Sequence, residues 1–487
     1  MLERKYDQVE RRLAEEQQTF ARPLRSLLRR AAVTCGAESS VAQVAALMRV
    51  EEVGSVVVVD ARARPAGILT SHDMVRAAAE GGLDRRAAEL MSRDPLMLPA
   101  HALAYEAAMA MISRRIRHVL VVDEGRLIGV VSERDLFSLQ RLGLGELTME
   151  VRLASDIAGL SRVAAEVRKL SALLVEQGVS AAQLTLFVSV LNDRLSQRVL
   201  EIVRKRHDLE RISWCWLAFG SEGRVEQTFA TDQDNGLMFA AHDGSPPEAV
   251  RERLLPYARQ VNEGLATCGF PLCKGNVMAS NPALCLSSAA WQARMAGWLA
   301  NTDPQALLDS SICFDFRALA GDAGLAEQLR DWLLPCARAR PAFLRLMAEN
   351  AVAVRPPRGM LRDFATDDAP GAPHTLNLKT VGTRIFVDGA RIYALAHGLP
   401  QTNTIERLRA AAAAGVLRAM EVSAWVGAFT WLQQLRLRVQ SGKSAEEDQV
   451  ANRIDPYGLD EFEQRTLKEV FRLAALLQDR VRSDYQL

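Results

Sequence analysis

Two apolar runs of strand length lie close together near the middle of the chain. Trp214 to Phe219 ends at Gly220-Ser221, and a second run starts directly after Asp232-Gln233-Asp234. Short apolar runs bounded by glycine and polar residues predict strands. Alternate side chains on an extended backbone share a face, so Asp232 and Asp234 are expected to point one way and Gln233 the other. On both sides the pattern changes to the three-to-four spacing of helices. It holds over 154–176 and 182–206, with a break near Gly178-Val179-Ser180 and one apolar face of Leu186, Val190, Leu195, Val199, Ile202 and Val203. It returns over 248–268, and FPLCKGNVM (270–278) reads as a turn and a strand. Beyond 340 the segments 375–379, 388–396, 404–414, 424–440 and 461–487 predict antiparallel helices in a bundle, with Leu432, Leu435, Leu437 and Val439 in its core. The first 20 residues are highly charged without Gly or Pro, and an exposed helix ending at Pro23 is expected.

The N-terminal part repeats itself. GILTSHDM at 67–74 recurs as GVVSERDL at 129–136, at a constant offset of 62 residues. Each copy follows a β-branched run (55–59 and 118–122), and each run follows a methionine-bearing helical segment (41–49 and 104–113). Such self-similarity marks one supersecondary unit used twice. Thr70 and Ser132 close strands where a hydroxyl can meet a phosphate. Asp73 and Asp135 fall three residues on, where a carboxylate can accept from ribose hydroxyls. The same S/T-x-x-D spacing also makes a helix capping box, and both readings stand. Arg117 and His118 are within reach of a phosphate in this reading, and His72 is expected at the surface.

The carboxylate pair carries the chemistry. Two carboxylates side by side repel unless a divalent cation sits between them, and oxygen-only ligands suit Mg²⁺. A glycine turn beside them lets backbone N–H groups approach phosphate oxygens. Together they point to a metal-bound nucleoside triphosphate; the alternative is a turn of glycine and aspartate joining two strands. The 487 residues are enough for three or four domains. A formal net charge of +1 implies no bulk attraction to nucleic acid or to an anionic membrane. Of the 60 basic residues 53 are arginine, a bias suggesting a GC-rich bacterial genome. The charged first 30 residues and the lack of a long apolar run predict neither signal peptide nor membrane span. The seven cysteines form no CxxC; Cys268 and Cys273 are the closest pair, and no zinc site is expected there. Scattered thiols in odd number fit a reduced, cytoplasmic protein.

The string GSEGR.EQ...TDQDN resembles the nucleotidyltransferase superfamily of DNA polymerase β. Within it, the string is similar to the signal-transduction nucleotidyltransferases that resemble the PII-protein uridylyltransferase and carry CBS domains. The repeated G-h-h-[ST]-x-x-D-h, with Met91-Ser92-Arg93-Asp94-Pro95 between the copies, resembles a tandem CBS pair. Asp315, Arg317, Gly321 and Asp322 match a D-x-R-x₃-G-D element of the same proteins, and LNLK...VDGARIYAL...NTIERL...LRLRVQ resembles their helical substrate-binding domain. The fold class expected is multidomain α/β: an N-terminal helix (1–22), a tandem CBS pair (23–140), a helical linker (141–210), a polymerase-β-like nucleotidyltransferase α/β core (211–335) and a C-terminal helical bundle (336–487).

The resemblance implies Mg-dependent transfer of a nucleotidyl group from ATP or UTP to a protein hydroxyl, such as that of a PII-like regulatory protein. Asp232 and Asp234 would be catalytic and metal-binding. Gly220, Ser221 and Arg224 would hold phosphates, Glu226 and Gln227 would brace the loop, and Asn235 would orient Asp234. Thr70, Asp73, Ser132 and Asp135 would bind an adenine nucleotide, and the CBS pair would form a homodimer. Relatives place a third carboxylate on a later strand, but 269–282 contains no Asp or Glu. A second reading therefore stays open: a non-catalytic adenine-nucleotide sensor whose degenerate transferase fold docks a partner. A small-molecule transferase of the aminoglycoside type is a third. The lack of a basic stripe or aromatic platform disfavours a nucleic-acid polymerase. Asp315 and Arg317 are expected to form an internal salt bridge or touch nucleotide, and Lys274 to meet an anion or solvent. Lys379, Arg384 and Arg391 are expected in the cleft or in surface ion pairs.

Overall fold

A computed structural model describes residues 23–28, 30–62, 64–80, 82–114, 116–132, 135, 144–176, 179, 181–240, 245–300, 303, 311–357, 364–441 and 450–487. The helix expected over 1–22 lies outside the described residues, as do Glu133, Arg134 and Leu136 of the second repeat copy. The described residues fall into two compact units that divide after Gly145.

The first unit contains two related sheets. One has the order β1 (Thr34–Gly36), β2 (Ser55–Val59), β3 (Pro65–Thr70), β4 (Ser92–Arg93). The other has the order β5 (Met97–Pro99), β6 (His118–Asp123), β7 (Arg126–Ser132). In each, a short strand runs parallel to the first arm of a hairpin, β1 to β2 and β5 to β6. Helices α1 (Val41–Val50) and α3 (Ala104–Arg114) precede the two hairpins, and α2 (Ser71–Ala79) follows the first. Ser40 and Gln43 form a reciprocal capping box at the start of α1. The repeated glycines have a packing cause. A Cβ on Gly67 would collide with Met91, and one on Gly129 with Leu28.

Past the helix Leu144–Leu153, the second unit has two long helices, α4 (Ile157–Glu176) and α5 (Ala181–Arg204). Helix α5 buries far more than the one expected face, including Leu184, Phe187, Val188 and Leu191. It does so because it is packed on several sides by other elements of the unit. A four-stranded sheet follows, in the order β10-β9-β8-β11. Its strands are β8 (Ser213–Ala218), β9 (Asn235–Ala240), β10 (Cys285–Ser287) and β11 (Arg317–Gly321). The one-turn helix α6 (Gly220–Gly223) lies between β8 and β9, α7 (Pro247–Thr267) after β9, α8 (Ser288–Ala300) after β10 and α9 (Ala323–Arg338) after β11. Strands β8 and β9 are buried along almost their whole length, which is why their sequences run continuously apolar instead of alternating.

The C-terminal part is helical: α10 (Pro341–Ala353), α11 (Arg384–His397), α12 (Thr404–Ala413), α13 (Ala419–Ser441) and α14 (Glu461–Tyr485). Leu432, Leu435 and Leu437 are core residues as expected. Segment 375–379 departs from the expected bundle. Thr375–Asn377 belong to β13 (Ala372–Asn377), the middle of a small sheet with β12 (Asp367–Ala369) and β14 (Arg453–Ile454). The partner β14 comes from far along the chain, so local pattern alone reads the segment wrongly. A π-helical turn, Lys379–Thr383, joins β13 to α11; such turns are frequent at functional sites.

Candidate active site

The centre of the second unit is the turn between β8 and β9. Phe219 donates its backbone N–H to the Asp234 carbonyl (2.8 Å), so the glycine turn closes directly on the aspartate segment. Gly220 has φ +55°, a conformation that favours glycine. A Cβ there would stand 3.3 Å from Asp234 Oδ2 and 2.8 Å from Ile312 Cγ1. At Gly223 a Cβ would run into the Asp315 carbonyl. Ser221 is half-buried, and its hydroxyl makes no hydrogen bond among the described residues.

Asp232-Gln233-Asp234 lies just ahead of β9 and alternates as expected of extended chain. Gln233 turns inward. Its Nε2 donates to the carbonyls of Asn262 (2.9 Å) and Phe270 (2.8 Å), and its Oε1 accepts from Asn262 Nδ2 (2.7 Å). Asn235 anchors the start of β9 by accepting from Asn262 Nδ2 (3.0 Å) and Ala279 N (2.8 Å). The carboxylates of Asp232 and Asp234 meet each other and the thiol of Cys273, with one ligand atom from each lying within 4.8 Å of the others. Among the described residues this is the one such group of His, Cys, Asp and Glu.

The strand expected over 270–278 does not form. Gln233 N–H donates to Pro271 O (3.0 Å) and Asn235 N–H to Val277 O (3.0 Å). Between these two anchors the chain loops out through Asn276 (φ +55°) and carries Cys273 to the carboxylates. Asp234 is only 8% exposed and has no Arg or Lys ion pair among the described residues. Burial, and then the neighbouring Asp232, push its carboxyl up to about 7, with Lys379 and the Cys273 thiol acting in the opposite sense. Glu222, on α6, is pushed up to about 8 by burial and then by Asp193.

Both shifts have the same sign for stability. Each carboxyl binds its proton more tightly folded than unfolded, so the stability it contributes is full below its ordinary value near 4 and is lost as pH rises through 7 to 8. Thermal melts of the metal-free protein are expected to show Tm falling from pH 5 to pH 9. The Glu222→Gln variant should show a smaller fall.

A buried ionic network borders the turn. Asp315 is fully buried and is bound by three arginines. Arg391 grips it with Nε and Nη2 (3.0 and 2.6 Å), Arg407 with Nη1 (2.6 Å) and Arg224 with Nη1 (2.7 Å). Burial pushes Asp315 up, but Arg391, Arg407 and Arg224 together hold it well below the usual carboxylate range. Arg224 Nε donates to Glu226 (2.9 Å), whose carboxylate accepts from the backbone N–H and hydroxyl of Thr404. Arg391 Nη1 also donates to Asp388 (2.6 Å), which Arg384 joins at 3.1 Å. The network thus ties the β8–β9 turn to α11 and α12. The fork of Arg224, expected on phosphate, is engaged with Glu226 and Asp315. Arg317 pairs with Asp193 (2.7 Å) and donates to Glu222 O (3.0 Å). Lys379 is exposed and acts on Asp234 through charge. Sequence reasoning missed Cys273, Glu222 and Arg407, whose roles depend on neighbours remote in sequence.

In the first unit the two capping boxes are present. Asp73 accepts from Thr70 N and Oγ1 (2.9 and 2.8 Å) and pairs with Arg76 (3.0 Å). Asp135 accepts from Ser132 N and Oγ (3.0 and 2.6 Å). Ser132 and Asp135 also line a cavity of about 520 Å³ with Arg30, Gly54, Ser55, Arg117 and His118, whereas Thr70 and Asp73 do not. Burial holds His118 below its ordinary value, opposed by Asp135.

Three family descriptions match the chain. Residues 24–80 and 87–141 match the CBS domain. Residues 165–305 match "putative nucleotidyltransferase DUF294", and 341–485 match "putative nucleotidyltransferase substrate binding domain". An uncharacterized 17.7 kDa protein of Acidianus ambivalens is 32% identical over 98 residues, 20% of this chain and 60% of that protein. Inosine-5'-monophosphate dehydrogenase of Mycobacterium leprae is 32% identical over 123 residues, 25% of this chain and 23% of that protein. The chain therefore spans less than two thirds of either curated relative. A solved CBS domain protein from Pyrobaculum aerophilum, complexed with AMP, is 30% identical over 26% of this chain and 99% of its own, with a TM-score of 0.24. No helix among the described residues is long and apolar enough to cross a membrane. The chain is built from a CBS domain pair, the DUF294 putative nucleotidyltransferase domain and that family's C-terminal substrate-binding domain.

Proposed function

We propose that the protein is a CBS-regulated, divalent-cation-dependent nucleotidyltransferase that moves a nucleotidyl group from ATP or UTP to a hydroxyl of a regulatory protein. The observation that carries this reading is the meeting of Asp232 and Asp234 beside the glycine turn, with Asp234 next to Gly220 and buried without an arginine or lysine ion pair among the described residues. A buried carboxylate beside a second one calls for a cation. Asp232 and Asp234 would hold it; two carboxylates alone suit Mg²⁺, and a bound cation would supply positive charge to offset that developing on the leaving pyrophosphate.

The backbone at Gly220-Ser221 and the Ser221 hydroxyl would hold the β- and γ-phosphates, since a Cβ at Gly220 would close that approach. Arg224 Nε and Nη1 hold the turn against α11 and α12, which leaves its Nη2 as the donor proposed for phosphate. The acceptor oxygen forms a bond to the α-phosphorus, the bond to pyrophosphate breaks, and the hydroxyl proton leaves to solvent or a carboxylate. The acceptor is a PII-like protein by resemblance, and its pairing with the C-terminal domain is part of the same proposal. The sensor reading is favoured by one observation: a cysteine, not a third carboxylate, completes the cluster. The test is transfer of α-phosphate label from ATP or UTP to protein in a cell extract, in the presence of Mg²⁺ or Mn²⁺. Label should appear on an acceptor with the wild type and disappear with Asp232→Asn/Asp234→Asn. Label unaffected by the variant would refute the assigned site, and no label at all would support the sensor.

The Ser132–Asp135 cleft is the proposed adenine-nucleotide site of the CBS pair, and its volume suits a nucleotide-sized ligand. Asp135 would take the ribose hydroxyls, and Arg117 and His118 lie at the same cavity. The Thr70–Asp73 box is the second candidate for that ligand. Asp135→Ala is expected to weaken AMP or ATP binding in equilibrium dialysis by roughly tenfold or more, the loss of a hydrogen bond to a charged group. Association through the CBS pair into a homodimer belongs to the same proposal.

A further inference from the structure

We propose that Cys273 is a ligand of the cation held by Asp232 and Asp234, and that the site prefers a thiophilic divalent ion, Co²⁺ or Zn²⁺, over Mg²⁺. This rests on the reading of the aspartate pair as a cation site and specifies which cations it takes. The ligand atoms of the three residues lie within 4.8 Å of one another. Metal–oxygen and metal–sulfur bonds of about 2.0–2.3 Å from one tetrahedral centre set ligand atoms roughly 3.5 Å apart, inside that limit.

The chain reaches this arrangement by construction. The backbone is pinned to the aspartate segment at Pro271 and Val277, and the loop between the pins delivers Cys273 to the carboxylates. Asp234 supplies the independent sign of a missing ligand. It is more than nine-tenths buried, and outside the cluster its carboxylate has no hydrogen-bond donor among the described residues. The buried carboxylates of Asp73, Glu226 and Asp315 each meet an arginine instead. Buried charge is retained when it is paired or coordinates metal.

The donor set decides the class of ion. Mg²⁺ demands oxygen ligands in near-octahedral geometry, whereas a thiolate selects softer ions. On coordination the Cys273 S–H proton is released to solvent and the sulfur electron pair forms the metal–sulfur bond. No oxidant or reductant takes part.

The test uses the full chain, stripped of metal by chelation and titrated with Co²⁺, Mn²⁺ or Mg²⁺. Wild-type protein should bind Co²⁺ with a thiolate-to-cobalt charge-transfer absorption. Cys273→Ser should lose that absorption and more than about 100-fold in Co²⁺ affinity, beyond the roughly 10–100-fold that loss of an outer-shell partner costs, while Mg²⁺ affinity stays unchanged. Circular dichroism checks that the variant is folded, and Cys313→Ser controls for the other thiol that interacts with Asp234 and Cys273. Cobalt bound at Asp232 and Asp234 without thiolate absorption, or absorption that survives in Cys273→Ser, overturns the inference and leaves the cation site standing. Binding of all three ions that is the same in Asp232→Asn/Asp234→Asn, or absent throughout, overturns the cation reading itself.

Discussion

Replacing Asp315 with asparagine is expected to destabilise the second unit by about 3–5 kcal/mol, the usual result of breaking a buried ion pair. The side chain is fully buried and serves Arg224, Arg391 and Arg407 at once. Asparagine keeps the shape but removes the charge that offsets three buried guanidinium groups. Burial alone would favour the neutral acid, yet the arginines hold Asp315 well below the usual carboxylate range. A depressed folded-state value contributes stability above the ordinary carboxylate pKa and loses it only as pH falls through that range. The difference between wild type and variant should therefore be flat from pH 5 to pH 9 and shrink in acid. Urea unfolding should show a lower midpoint with an unchanged slope. A loss below about 1 kcal/mol would show that the network does not hold the turn against α11 and α12.

The second large effect is on chemistry. Asp232→Asn/Asp234→Asn is expected to lower nucleotidyl transfer by roughly 10³-fold or more, since the cation such a pair holds contributes several kcal/mol of transition-state stabilisation. Stability should move the other way. The substitutions remove two like-charged neighbours, one of them buried, and Asp234 is pushed up to about 7 in the wild type by burial and by Asp232. The metal-free variant should thus be at least as stable as the metal-free wild type at pH 8. Lost transfer together with unchanged or raised Tm separates a role in chemistry from a folding defect. Lost transfer with a collapsed fold would leave the pair as structural.

Several parts of this molecule are readable in the chain itself. The CBS unit is written twice, and the repeated Gly67 and Gly129 are glycine because Met91 and Leu28 occupy the space of a Cβ. The aspartate pair is legible because its geometry is local: period-two alternation sends Gln233 to Asn262 and leaves Asp232 and Asp234 on the other side. What escapes local reading depends on contacts remote in sequence. Arg224 has the fork of donors that phosphate binding needs, but Glu226 takes its Nε and Asp315 its Nη1. Cys273 looks like an isolated thiol until the anchors at Pro271 and Val277 bring its loop to the carboxylates. Thr375–Asn377 reads as part of a helical domain until β14 pairs with it. In each case the deciding partner lies beyond the window in which periodicity operates.

The most direct test of the central claim is equilibrium binding of the non-transferable analogues α,β-methylene ATP and α,β-methylene UTP. The turn and the aspartate pair predict that at least one analogue binds only with a divalent cation, and that EDTA or Asp232→Asn/Asp234→Asn removes this binding while the protein stays folded. If neither analogue shows binding that depends on both the cation and the aspartate pair, the assignment of a nucleoside-triphosphate site to Gly220, Ser221, Asp232 and Asp234 is contradicted.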